Sequence, residues 1–136
     1  MEHIPYEQRF NRREDFRVKY ELNDIAIKNG LATIKQGIRC NFWYECNTHE
    51  PPYQKKENSF RGQFMIFPEF EDNSRKVIEN APIPLVGTAK MWIAMDYMIP
   101  YHKGRIHLGT KGYFLSANHI LATCNVIEIV NLGTKS

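Results

Sequence analysis

The chain has 136 residues, of which 43% are hydrophobic and 24% charged, and it carries a formal net charge of +3. That length suits a single domain able to bury a core without metal or disulfide support. No stretch reaches the ~18 consecutive apolar residues of a membrane-spanning helix, and the charge balance is far from the dense basic stripe of a dedicated nucleic-acid binder.

Residues 1–20 mix Arg9, Arg12, Arg13, Arg17 and Lys19 with Glu7, Glu14 and Asp15, and their apolar side chains are few: Tyr6, Phe10, Phe16 and Val18. This composition predicts a short strand or a surface-hugging arm, and the organisation expected is an N-terminal arm over 1–30 and a β-barrel domain over 31–136. The start, MEHIPYEQRFNRREDF, lacks the apolar run of a secretory signal. Cys40, Cys46 and Cys124 are an odd number of cysteines, so reduced thiols in a cytoplasmic protein are the expectation. One short helix or turn is expected over 23–28, with Gly30 as its stop.

From Gly37 onward the hydrophobic period is two. Ile38, Cys40, Phe42, Tyr44 and Cys46 share one face against Arg39, Asn41 and Glu45. Cys40 and Phe42 should therefore point inward. Trp43 interrupts the polar face and requires cover, for which the N-terminal arm is at hand. Residues 47–59 contain two prolines and no period, which predicts a loop of unusual length.

A second strand is predicted over 60–67, stopped by Pro68, and a short one over 76–79 in a turn-rich stretch. Residues 87–98 follow, with Met91, Ile93, Met95 and Tyr97 alternating against Lys90, Ala94 and Asp96. Gly104 opens a strand at 105–108, and strands at 109–115 and 120–130 complete the set. In the last of these, Ile120, Ala122, Cys124 and Val126 alternate strictly with polar Thr123 and Asn125 between them. From Val126 to Val130 both parities are apolar except Glu128, a pattern that marks cover on both faces or a bulge. About six strands at this spacing predict an all-β fold, a six-stranded antiparallel closed barrel, because closure removes exposed sheet edges.

SFRGQFMI at 59–66 is similar to the GYRPQF signature in the C-terminal β-barrel domain of elongation factor Tu. Phe60, Arg61, Gln63 and Phe64 stand in step with its Tyr, Arg, Gln and Phe, and Gly62 replaces the proline. VGTAKMWI at 86–93 resembles the entry to a later strand of that domain, and 104–130 resembles its last strand pair. The resemblance covers about residues 31–132, extends to small stand-alone bacterial proteins of this barrel type, and implies fold far more than function. In the elongation factor a GGRHT-type loop before the signature helps hold transfer RNA; here that region reads PPYQKKEN, so its contacts are not carried over. No GxxxxGK[ST] occurs, hence no phosphate-cradling GTPase loop.

Cys40, Cys46 and His49 form the one Cys/His grouping, but structural zinc takes four ligands, usually from paired Cys elements, and two inward thiols are the reading preferred. His102, His107 and His119 with Asp96 lack an accompanying activated nucleophile, so neither an enzyme, a metal nor a cofactor is expected. The FPEFED run holds Phe67, Glu69, Phe70, Glu71 and Asp72 and reads as a strand end entering a solvated turn, with a protein-docking edge centred on Phe70 as its functional alternative. The first-placed interaction surface is the loop with Tyr53, Lys55, Lys56 and adjoining Arg61. Two lysines diluted by Glu50 and Glu57 give a small electrostatic attraction for RNA.

The expectation is a non-catalytic barrel that binds a protein partner, such as a toxin neutralised by an immunity protein. An RNA-binding or translation-associated module stands second, and no membrane is involved. Replacing Lys55 and Lys56 together by Glu should weaken capture of the partner while changing stability by no more than about 0.5 kcal/mol. Unchanged capture by that variant and by Tyr53→Ala reduces the loop to a connector.

Overall fold

The computed structural model describes residues 4–23, 36–38, 40–45, 64–79, 83–116 and 119–132. Among them six strands form one antiparallel sheet: β1 (Phe16–Leu22), β2 (Asn41–Tyr44), β3 (Ile66–Glu71), β4 (Val86–Ile93), β5 (Lys111–Ser116) and β6 (His119–Ile129). Their order across the sheet is β2-β5-β6-β1-β4-β3. Two short helices, α1 (Tyr6–Phe10) and α2 (Ile99–Lys103), lie outside the sheet, and a 3₁₀ turn at Asp96–Met98 leads into α2.

The sheet is a curled half-barrel, not the closed barrel expected. Its edges, β2 and the segment entering β3, meet at a single bridge between Phe42 and Phe64, with N–H···O distances of 2.8 and 2.9 Å. Among the described residues no continuous ladder joins β2 to β3. The set of strands also differs from expectation. Residues 105–108 form turns rather than a strand, and the stretch 76–79 contributes one isolated bridge, Val77 to Glu71. The sixth strand is β1, drawn from the segment expected to be an arm, and it lies between β6 and β4. The helix or turn expected over 23–28 falls outside the described residues.

Strand β1 is central because its parity suits a sheet with a dry inner face. Phe16, Val18 and Tyr20 are all at most 1% exposed, while Lys19 and Glu21 face out. Inward side chains from the other strands meet them in edge-to-face contacts, Phe16 with Phe42 at 6.1 Å and Tyr20 with Phe70 at 5.1 Å; such aromatic pairs each add about 0.5–1.5 kcal/mol beyond area burial. Cys40 and Phe42 are buried, in keeping with the two-residue period. Gly112 is required where β5 passes under Phe42: an added Cβ would stand 2.4 Å from the Phe42 ring.

The change of rhythm in β6 is a bulge. Arg17 pairs with Glu128 but the next residue, Val18, pairs with Val126, which leaves Ile127 as the extra residue, 39% exposed. One insertion returns Glu128 to the outer face opposite Arg17, so the apolar run of 126–130 does not belong to one face. A second shift, between Phe114 and Leu115 of β5, makes Leu121 the extra residue, and both Leu121 and Ala122 are buried.

Pro68 does not stop β3, which runs through it. β3 is an edge strand, and Phe70, two residues on, directs its N–H away from β4 to the Gln36 side chain (2.8 Å). By the same parity the missing donor of Pro68 lies on the free edge, where no ladder bond is lost. The Gln36 carboxamide also donates to the Phe70 and Ile78 carbonyls, at 2.7 and 2.8 Å, and so covers that edge as a short strand would.

Helix α1 shields the outer face of β4. Trp92, fully buried, stacks on Phe10 at 5.6 Å and meets Tyr6 edge-on at 6.1 Å. The Glu69 carboxylate, 1% exposed, accepts the Tyr6 N–H at the start of α1 (2.8 Å). Trp43 packs against Tyr113 of β5, ring centroids 5.6 Å apart.

Asp15, fully buried just before β1, accepts hydrogen bonds from Arg12 (2.9 Å), the Ile93 N–H (2.8 Å) and Asn131 (3.1 Å). Asp15→Ala leaves the buried Ile93 N–H without its acceptor and removes the buried counter-charge of Arg12, and should cost about 3–5 kcal/mol, whereas Asp96→Ala, an exposed partner of the same arginine, should cost under about 0.5 kcal/mol. Equal losses in urea denaturation would remove Asp15 from that role.

Candidate functional site

A groove of about 420 Å³ lies on the outer face of the sheet across β1, β6 and β5. Its side chains follow from register. Asn125 has Lys111 opposite it on β5 and Lys19 opposite it on β1. Two residues along, Thr123 has Tyr113 on one side and Glu21 on the other. Residues directly opposite each other project from the same face, so these six line the surface in two rows. Glu45 follows Tyr44, which pairs with Gly112, so it comes beside Lys111 at the end of the first row, and its carboxylate accepts a hydrogen bond from Tyr113 Oη of the second (3.2 Å). Burial first, and the Glu45 carboxylate second, raise the Tyr113 phenol above its ordinary pKa. Val86, paired with Glu21 and 49% exposed, supplies an apolar margin beside exposed Leu85.

Beyond Lys19 toward the start of β1, the same outer face becomes a closed ionic cluster. Arg17 donates to Glu71 from Nε (3.2 Å) and Nη2 (2.6 Å), and to Glu128 at 2.8 Å. Thr88 adds a bond to Glu71 (2.8 Å), and Arg75 one to Glu128 (3.1 Å). The hydrogen bond from Arg17 holds the Glu128 carboxyl below its usual range. Every charge in this cluster has a counter-charge at hand, which suits bracing of the β1–β4–β3 side better than ligand capture.

His102, on α2, is buried against one end of the half-barrel. Its Nδ1 stands 2.6 Å from Tyr44 Oη, and its ring packs against Tyr44, Phe64 and Tyr101. Burial, aided by nearby Arg105, lowers its pKa to about 4. The imidazole is therefore neutral at physiological pH, and with its proton on Nε2 it accepts the Tyr44 phenol. Burial also pushes the Cys40 thiol up to about 12 and the Cys124 thiol higher still, which leaves both protonated and poorly nucleophilic.

The residues singled out from sequence fare differently. Tyr53, Lys55, Lys56 and Arg61 lie outside the described residues, as do Cys46 and His49. Phe70 is a correction: at 1% exposure it belongs to the core, and with Phe67, Glu69 and Glu71 also buried, FPEFED is no exposed docking edge but the end of β3, which enters a solvated turn at Asp72. Its two glutamates are instead occupied by Tyr6 and Arg17. Among the candidate acid–base residues, His102 is enclosed by rings, His107 is exposed in a turn, and Asp96 stands 3.6 Å from Arg12. No group of three or more potential metal ligands clusters among the described residues, and no helix among them is long and apolar enough to cross a membrane.

Sequence reasoning missed the groove. Thr123 and Asn125 were legible as the polar parity of β6, and Lys19 as a charge. Their meeting depends on β1 inserting beside β6, and no local pattern announces a pairing across a hundred residues.

No protein-family model, no curated protein sequence and no solved structure matches this chain.

The pH dependence of stability should carry the signature of His102. The unfolded imidazole binds its proton near the ordinary 6.5, the folded one only near 4. Its contribution is complete above pH 6.5 and declines as the pH falls from 6.5 toward 4, by up to about 3 kcal/mol. Urea titrations at pH 7, 6 and 5 should show His102→Gln losing less stability over this window than the unaltered protein; parallel losses would place the His102 pKa near its ordinary value.

Proposed function

We propose that this protein is a non-catalytic binding module that holds a polypeptide partner in the groove across β1, β6 and β5. The observation that carries this reading is the composition of the groove: Lys19 and Lys111 against Glu21 and Glu45, beside the apolar margin of Val86 and the aromatic side of Tyr113. Two positive and two negative side chains sum to zero. A nucleic-acid backbone would bring its phosphates against both glutamates, while a protein surface of mixed charge can answer all four. An apolar rim beside an aromatic residue matches the anatomy of protein interfaces.

The non-catalytic part of the reading is supported by the protonated thiols of Cys40 and Cys124 and by the enclosure of His102. The narrower expectation of a toxin as partner rests on the sequence alone.

The test is affinity capture from the native cells with three baits, each with and without nuclease: the unaltered protein, Lys19→Glu with Lys111→Glu, and Lys103→Glu as an exposed control on α2. One polypeptide should be captured equally by the first and third baits, about tenfold less by the second, and independently of nuclease. Capture that is nuclease-sensitive, or equal for all three baits, would overturn the reading.

A further inference from the structure

The charges of the groove are sorted. Lys19 and Lys111 flank Asn125 in one row, and Glu21 lies in the next; Glu45, bonded to Tyr113, stands at the β5 side, across Thr123 from Glu21. Strand spacing sets the two lysines about 10 Å apart at their backbones, and the rise along a strand sets the rows about 7 Å apart. Among the described residues none of Lys19, Lys111 or Glu21 makes an ion pair, in contrast to the fully paired Arg17, Glu71 and Glu128 on the same face. Lys19, Lys111 and Glu21 are exposed. An incoming ligand therefore meets a positive row and a negative row without first breaking a salt bridge.

An extended polypeptide repeats its side chains on one face every two residues, again about 7 Å. We infer that the groove recognises an extended segment bearing an acidic residue and a basic residue two positions apart, aligned with β1, β6 and β5. The acidic side chain sits between Lys19 and Lys111, where Asn125 offers a further hydrogen bond, and the basic side chain sits over Thr123, with Glu21 on one side of it and the Tyr113–Glu45 pair on the other. An apolar residue beside the basic one reaches Val86, which lies across from Glu21. Both orders of the two charges satisfy the rows, since the segment can run in either direction along the strands. Two like charges satisfy one row and are repelled by the other.

This inference rests on the groove being the partner-binding face. Its test uses the isotope-labelled full chain and three seven-residue peptides in a Thr/Val background, with Asp-Thr-Lys, Asp-Thr-Asp or Lys-Thr-Lys at the centre. The Asp-Thr-Lys peptide should bind at least fivefold more tightly than either like-charged peptide at low salt, with amide shifts concentrated at Lys19, Glu21, Lys111, Thr123 and Asn125. High salt should erase the difference. In Lys19→Glu with Lys111→Glu the preference should move to Lys-Thr-Lys, and in Glu21→Lys with Glu45→Lys to Asp-Thr-Asp, each variant being shown folded by its amide spectrum. Equal binding of the three peptides, or a preference that neither variant moves, overturns the charge rule. If capture from cells still depends on Lys19 and Lys111, only this rule has failed; if it does not, the binding face itself is wrong.

Discussion

The geometry of the sheet depends on where β1 is anchored, and the anchor is Asp15. Its backbone N–H bonds Met91 of β4 (2.9 Å), and its carbonyl accepts from Val130 and Leu132 beyond β6 (3.1 and 3.2 Å). Its carboxylate, out of contact with water, ties Arg12, Ile93 and Asn131 together. A carboxylate in the interior is tolerated only when its lone pairs are filled, and here the donors come from three separated parts of the chain. That requirement sets the start of β1 against the ends of β4 and β6 at once. The bulge at Ile127 follows one turn of pairing later and aligns Glu128 with Arg17.

The outer face of this sheet is divided by how its polar side chains are compensated. On the β1–β4–β3 side, Arg17, Glu69 and Glu71 are buried and partnered, and α1 covers Trp92. On the β1–β6–β5 side, Lys19, Lys111 and Glu21 stay exposed and make no ion pair among the described residues. Breaking a buried pair is costly, whereas pairing an exposed charge with an incoming one costs little desolvation. The first half is braced by its paired charges, and the second keeps exposed charges on its surface.

The inner face is similarly specialised. Aromatic rings from β1, β2, β3 and β5 interlock around Tyr20, Phe42 and Phe114, and α2 closes one end with His102 bonded to Tyr44. Gly112 allows Phe42 to lie directly on the β5 backbone. Volume is tightly specified there, which leaves loops and the outer face as the places where recognition can vary without disturbing the fold.

Much of this was determined by the sequence itself. The two-residue period placed Cys40, Phe42 and Tyr44 inside, and the change of rhythm after Val126 narrowed that stretch to cover on both faces or a bulge, because side-chain parity along a strand is a local property. Which strands neighbour each other is not local. β1 came from a stretch whose charges suggested an arm, since the carboxylates that neutralise Arg17 lie 54 and 111 positions away. Glu69 and Glu71 looked solvated for the same reason: their partners, Tyr6 and Arg17, precede them by more than fifty residues. Pro68 looked like a stop because its edge position is known only once the sheet is assembled. Only the tertiary structure decided that Lys19, Lys111, Glu21 and Glu45 face one groove, because cross-strand register is set by long-range packing and buried ion pairs rather than by any segment's own pattern.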